Sequence, residues 1–158
     1  MVEHGDKNNS VQAAASDAQV RHERANKAFY DVLERLNPEI RETLRGYWKG
    51  QSDRAPFIFP SLEMAQLLGH WARWAGTIGF AFYFHEVLVR SAPDPIFHTI
   101  IAHELAHAFQ MAREKVFFLH LVEDRQRMNA HERMAEFLTR EWGFDQAAAT
   151  AWCKQNIG

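Results

Sequence analysis

Asp94-Pro95-Ile96-Phe97-His98-Thr99-Ile100-Ile101-Ala102-His103-Glu104-Leu105-Ala106-His107-Ala108-Phe109 is the stretch around which the rest of the chain is organised. Asp94 offers a side-chain acceptor at a cap, and Pro95 suits the first helical position, where its missing N–H costs nothing. A helix is therefore predicted to start about two turns before His103. Ile96, Phe97, Ile100, Ile101, Leu105, Ala108 and Phe109 are apolar around most of its circumference, the mark of a helix buried in a core. Two histidines and a glutamate inside such a helix are costly unless something satisfies them. His103 and His107 stand four apart, so on a helix both imidazoles reach one tetrahedral ion, which makes Zn2+ the expected cofactor, one per chain. Glu104 then stands beside the open coordination position. There a carboxylate can take a proton from zinc-bound water, whose pKa the metal lowers toward about 7, and pass it to a leaving amine. With nine histidines in 158 residues, a chance His-Glu-x-x-His arises on the order of a few per cent of the time, and the helix context lowers the odds of accident further.

A catalytic zinc takes three protein ligands. Downstream the chain reads Ala130-His131-Glu132-Arg133-Met134-Ala135-Glu136-Phe137-Leu138. Glu132 and Glu136 are again four apart and share a helix face. Glu132 can reach the metal, while Glu136 can accept a hydrogen bond from the second ring nitrogen of a ligand histidine, fixing its tautomer. Without the upstream motif, both acids would read as a solvated face shared with Arg133 and Arg140.

His-Glu-Leu-Ala-His, followed after 24 intervening residues by Glu-x-x-Ala-Glu-Phe, resembles the paired motifs of the gluzincin metallopeptidases. That resemblance implies Glu132 as the third ligand, Glu136 as the supporting acid and Ala135 as the small residue that allows close helix packing. Glu136 stands where the family commonly has Asp or Asn, and is longer than Asp by one methylene. The stretch Gly76 to Phe84, then Val87-Leu88-Val89 and the Pro93 turn, is similar to the minimal SprT-like and ImmA-like peptidases, in which a strand and a small helix precede the active helix. The likeness covers about residues 62 to 145. SprT-like enzymes use histidine as third ligand, which makes His131 the competitor of Glu132. Ala135 to Phe137 continue the gluzincin pattern, and His131 lacks the glycine that follows in the SprT pattern.

A chain 47% hydrophobic with twelve Phe and five Trp can bury one sizeable core, so one domain is expected. The lone Cys153 excludes an intramolecular disulfide and a thiolate zinc cluster. No secretory signal is expected, because the first 28 residues are polar and alanine-rich, and no run approaches the roughly 20 apolar residues of a membrane span. A cytoplasmic protein is expected. Net charge is −2 without a basic cluster, which gives a nucleic-acid surface no electrostatic support.

Residues 1–16 are predicted to be a disordered tail, and 17–50 a helical hairpin. Ala25, Phe29, Val32, Leu33 and Leu36 recur at helical spacing up to Asn37-Pro38, then Ile40, Leu44, Tyr47 and Trp48 form a second stripe. Residues 51–158 are the expected minimal zincin core. Within it, 64 to 74 read as helix or strand, and 77 to 84 as one strand with Phe80, Phe82 and Phe84 on one face. Two last helices are predicted at 125 to 141 and 145 to 156. The expected fold is α+β: a mostly helical single domain with a sheet of two to four strands beside the zinc-binding active-site helix. The expected activity is peptide-bond hydrolysis in a protein or peptide substrate, with an edge strand pairing with the extended substrate. His70, Tyr83, His85, His98, His120 and His131 are candidate donors to the oxyanion. A different class stays open: a zinc-stabilised binding or regulatory module that cleaves nothing, or cleaves only when a partner opens it. Glu104 speaks for the enzyme, since a structural site has no use for a carboxylate there and is closed by a fourth protein ligand.

Overall fold

In the computed structural model of the protein, residues 4–67, 72–116 and 118–158 are described, with the side chains of 4–15, 119, 120 and 122 left out. The chain is a mostly helical α+β domain. Its elements run α1 (His4–Arg35), α2 (Pro38–Gln51), β1 (Phe57–Phe59), α3 (Glu63–Leu67), β2 (Ala75–Thr77), β3 (Ala81–Phe84), α4 (Glu86–Ser91), α5 (Asp94–Glu114), α6 (Phe118–Glu123), α7 (Arg125–Glu141) and α8 (Gln146–Asn156).

Helix α5 is the axis of the molecule. From Thr99 to Met111 every residue is buried, as its all-round apolar pattern requires. Helices α1, α2, α7 and α8 and strand β2 all pack on it. Ala25, Phe29, Val32 and Leu33 of α1 and Leu36 just after it join Leu44 and Trp48 of α2 in one core with Phe97, Ile101, Leu105 and Ala108 of α5. Each large apolar side chain fully buried there contributes about 1.5–3 kcal/mol. Asn37 caps α2 by accepting from the Glu39 N–H, and Pro38 takes the first helical position, where its ring costs no hydrogen bond.

Two expectations about helix starts are corrected. Helix α1 begins at His4, so most of the segment expected to be a disordered tail is helical; Ala13-Ala14-Ala15 has the highest intrinsic helix propensity. Residues 1–3 lie outside the described residues. At α5 the cap is Pro93, with Asp94 already inside the helix and no side-chain cap bond. Asp94 instead meets the guanidinium of Arg24 at 3.3 Å. Arg24 also donates to the carbonyls of Val89 and Ala92, satisfying the open C-terminal end of α4 and tying α1, α4 and the start of α5 together.

The sheet has order β1-β3-β2. β1 runs parallel to β3, and β2 pairs antiparallel with it, Ala75 opposite Phe84 and Thr77 opposite Phe82. The expected single strand over 77–84 is therefore the end of one strand, a turn and a second strand. Gly79 makes that turn at φ +104°, a conformation open to glycine alone at little cost. Thr77 Oγ1 accepts from the Gly79 N–H and donates to the Ala81 carbonyl. The turn is held against α2 by the Trp48 indole N–H, which donates to the Gly79 carbonyl at 2.8 Å. Alternation does hold within β3: Phe82 and Phe84 enter the main core, while Ala81 and Tyr83 face Leu62 and Ala65 on the other side of the sheet. The stretch left between helix and strand contains α3, residues 68–71 outside the described residues, and a bend leading into β2. Among the described residues no helix is long and apolar enough to cross a membrane.

Candidate metal centre

His103 and His107 sit one turn apart on α5, and α7 brings Glu132 across to them. Glu132 reaches both rings at once, Oε1 2.8 Å from His103 Nε2 and Oε2 2.9 Å from His107 Nε2. The candidate ligand atoms of the three residues lie within 4.8 Å of one another. Two imidazole nitrogens and a carboxylate oxygen converging from two helices form a donor set that suits a divalent metal. Both histidines are buried, while 48% of the Glu132 side chain is accessible. The group is thus closed on the α5 side and accessible on the Glu132 side.

The second ring nitrogens are also engaged, though not by the residue expected. His103 Nδ1 lies 2.9 Å from Gln146 Oε1. That oxygen only accepts, so the proton is on Nδ1. The Gln146 amide is oriented by its own donation to Thr150 Oγ1 at 3.2 Å. His107 Nδ1 lies 2.9 Å from His131 Nδ1, with the two rings stacked at 5.1 Å and 9°. His131 thereby supports a candidate ligand from behind and is not itself among the converging donors. Its backbone carbonyl accepts from Gln110 Nε2 at 3.0 Å, which pins α7 to α5. Glu136, expected to orient a ligand histidine, makes no hydrogen bond to either ring. It sits one turn past Glu132, exposed on the rim of the cleft, because Gln146 and His131 already occupy the two Nδ1 positions.

The electrostatics follow from burial and these contacts. Burial opposes charge on His103, yet the hydrogen bond to Glu132, the nearby charges of Glu104 and Glu132, and Gln146 together raise it to about 9. Burial likewise opposes charge on Glu132, and the hydrogen bonds from His103 and His107 override it, holding the carboxyl well below its ordinary range. Burial lowers His131 to about 4, helped by the charge of His107, so at neutral pH it is an uncharged ring able to accept a proton bond. Glu104 is 6% exposed and its carboxyl is raised, first by burial and only partly restrained by the two histidines. It makes no hydrogen bond or ion pair among the described residues, so its oxygens remain available to whatever enters the cleft.

That cleft has a volume of about 270 Å³. It is lined by Ile100, His103, Glu104 and His107 of α5, Glu132 and Glu136 of α7, and Gln146 and Thr150 of α8. Arg73, Trp74 and Ala75 complete the lining, where β2 begins. β2 is an edge strand of the sheet. Of the other candidate donors, His85 caps α4 by accepting from the Val87 N–H, and Tyr83 is buried in the second core cluster. His98 lines a different cavity with Arg35 and Asp94. His70 and the side chain of His120 lie outside the described residues. Gln146 was missed by sequence reasoning, since no motif spacing connects it to His103, 43 residues away. No protein-family model, curated protein or solved structure matches the chain.

Proposed function

We propose that this chain is a zinc-dependent metallopeptidase, with His103, His107 and Glu132 as the metal ligands and Glu104 as general base. The observation that carries this reading is the pairing of a three-residue donor set with a buried, uncommitted carboxylate in the same cleft. A structural metal needs no such neighbour. Bound there, zinc would supply Lewis acidity toward a carbonyl oxygen and make an attacking water acidic. The chain's own residues do the rest. Glu104, its carboxyl made more basic by burial, takes the proton of the attacking water and delivers it to the departing amine. Gln146 holds His103 with its proton on Nδ1, leaving Nε2 as the ligating nitrogen, and His131 does the same for His107 by accepting from its Nδ1–H. The exposed edge of β2 suits an extended substrate backbone, which adds as a further strand.

Glu104→Gln tests the reading, since it keeps shape and polarity and removes the proton acceptor. The variant is expected to bind one zinc per chain with unchanged affinity and to lose about 10²–10⁴-fold in cleavage rate. Full activity in that variant removes Glu104 from the mechanism. If zinc-loaded wild type cleaves no peptide in a degenerate library, the site is that of a non-catalytic zinc module.

A further inference from the structure

The metal cleft does not end at Thr150. A groove of about 460 Å³ between α7 and α8 shares Glu136, Gln146 and Thr150 with it, so the two are one continuous depression. Ala147 and Ala151 line the groove between Arg140 and Lys154, leaving low relief on which an extended chain can lie. Neither Arg140 nor Lys154 makes a side-chain hydrogen bond or ion pair among the described residues. Beyond the metal donors and Glu104, the charged side chains lining cleft and groove are Arg73, Arg140 and Lys154 against Glu136 alone. This excess of positive charge occurs in a chain of net charge −2, and the metal centre does not offset it: a divalent ion would be balanced by Glu132 and Glu104.

We infer that the α7–α8 groove is a substrate-binding extension of the metal cleft that takes an acidic peptide segment. The inference rests on the peptidase reading for the place of the scissile bond. Eight residues separate Glu132 from Arg140 on α7 and Gln146 from Lys154 on α8. Arg140 therefore stands about 12 Å along α7 from the donor Glu132, and Lys154 about 12 Å along α8 from Gln146, which holds His103; each span is the reach of three to four residues of extended chain. Asp or Glu at that remove from the cleaved bond, on one side of it, would meet Arg140 or Lys154. The long, exposed side chains give selectivity among substrates and faster encounter more than they give tight binding.

The test uses zinc-loaded Glu104→Gln protein, which separates binding from turnover, and three fluorescein-labelled degenerate dodecapeptide pools enriched in Asp/Glu, Asn/Gln or Lys/Arg. Fluorescence anisotropy at low salt is expected to show the acidic pool binding about tenfold tighter than the neutral one, with the difference collapsing as salt approaches 1 M. The double variant R140E/K154E, with unchanged zinc content, is expected to prefer the Lys/Arg pool. Equal binding of the three pools, or an acidic preference untouched by the double variant, overturns the inference. Wild-type digestion of the same pools, read by mass spectrometry, judges the peptidase reading separately. Cleavage without acidic preference leaves the enzyme and removes the groove, whereas acidic-pool binding without cleavage leaves the groove and removes the enzyme.

Discussion

Zinc uptake should release a proton from His103, and the dependence can be worked out from the geometry. Both ring nitrogens of His103 face oxygens that accept, Gln146 Oε1 at 2.9 Å and Glu132 Oε1 at 2.8 Å, so in the metal-free protein the ring is satisfied as an imidazolium. This agrees with its rise to about 9. Zinc needs the Nε2 lone pair, so below that value each ion bound must displace one proton. The apparent association constant then falls tenfold for each pH unit well below 9 and levels off above it. Between pH 8.5 and 7 the expected loss is about 25-fold, allowing for the fraction of rings already neutral at the upper end. The sign is fixed: a group whose pKa is raised in the metal-free fold opposes metal more as the pH falls. Competition against a fluorescent chelator, corrected for the chelator's own protonation, measures the constant. Titration calorimetry in buffers of different ionisation enthalpy counts the protons released at pH 7. An association constant that changes less than threefold over this interval, or uptake without proton release, would refute the assignment of His103 Nε2 as a ligating nitrogen.

Glu132→Ala should abolish stoichiometric zinc, whereas His131→Ala should keep one ion per chain at about 10–100-fold lower affinity, as expected for loss of a partner behind a ligand; elemental analysis and chelator competition separate the two, and the reverse pattern would make His131 the third ligand. Gln146→Ala should weaken zinc by a similar 10–100-fold while leaving the fold intact, because it frees His103 Nδ1 without touching a donor atom; unchanged affinity would show that the 2.9 Å contact does not orient the ring. Gly79→Ala should destabilise the protein by about 1–3 kcal/mol in urea unfolding, since the new Cβ sits at a positive φ, 2.8 Å from Tyr47 Oη and 3.1 Å from Met111 Sδ; a loss below about 0.5 kcal/mol would mean that the turn relaxes freely.

The candidate metal site was legible in the sequence to the extent that helix periodicity governs it. Four-residue spacing on a buried helix dictates that His103 and His107 share a face, and the same rule puts Glu132 and Glu136 on one face of α7. Such statements concern a single helix and need no knowledge of its neighbours. Similarly, the α1 and α2 stripes, the Asn37-Pro38 break and the start of α7 after Asp124 follow from local propensity and capping. Contacts between elements far apart in sequence lay beyond that reach. That Glu132 meets the histidines, while Glu136 stays on the rim, is set by how α7 crosses α5. The choice of Gln146 and His131 as the partners behind the ligands depends on the packing of α7 and α8 against the same helix. The division of residues 75–84 into two strands rests on Gly79 seated against Tyr47 and Trp48, a long-range contact that overrides the run's apparent continuity. Sequence periodicity determines which side chains share a face of their own helix, because backbone geometry fixes it; only the tertiary structure decides which face meets which, because side chains from separate elements settle that by filling one core together.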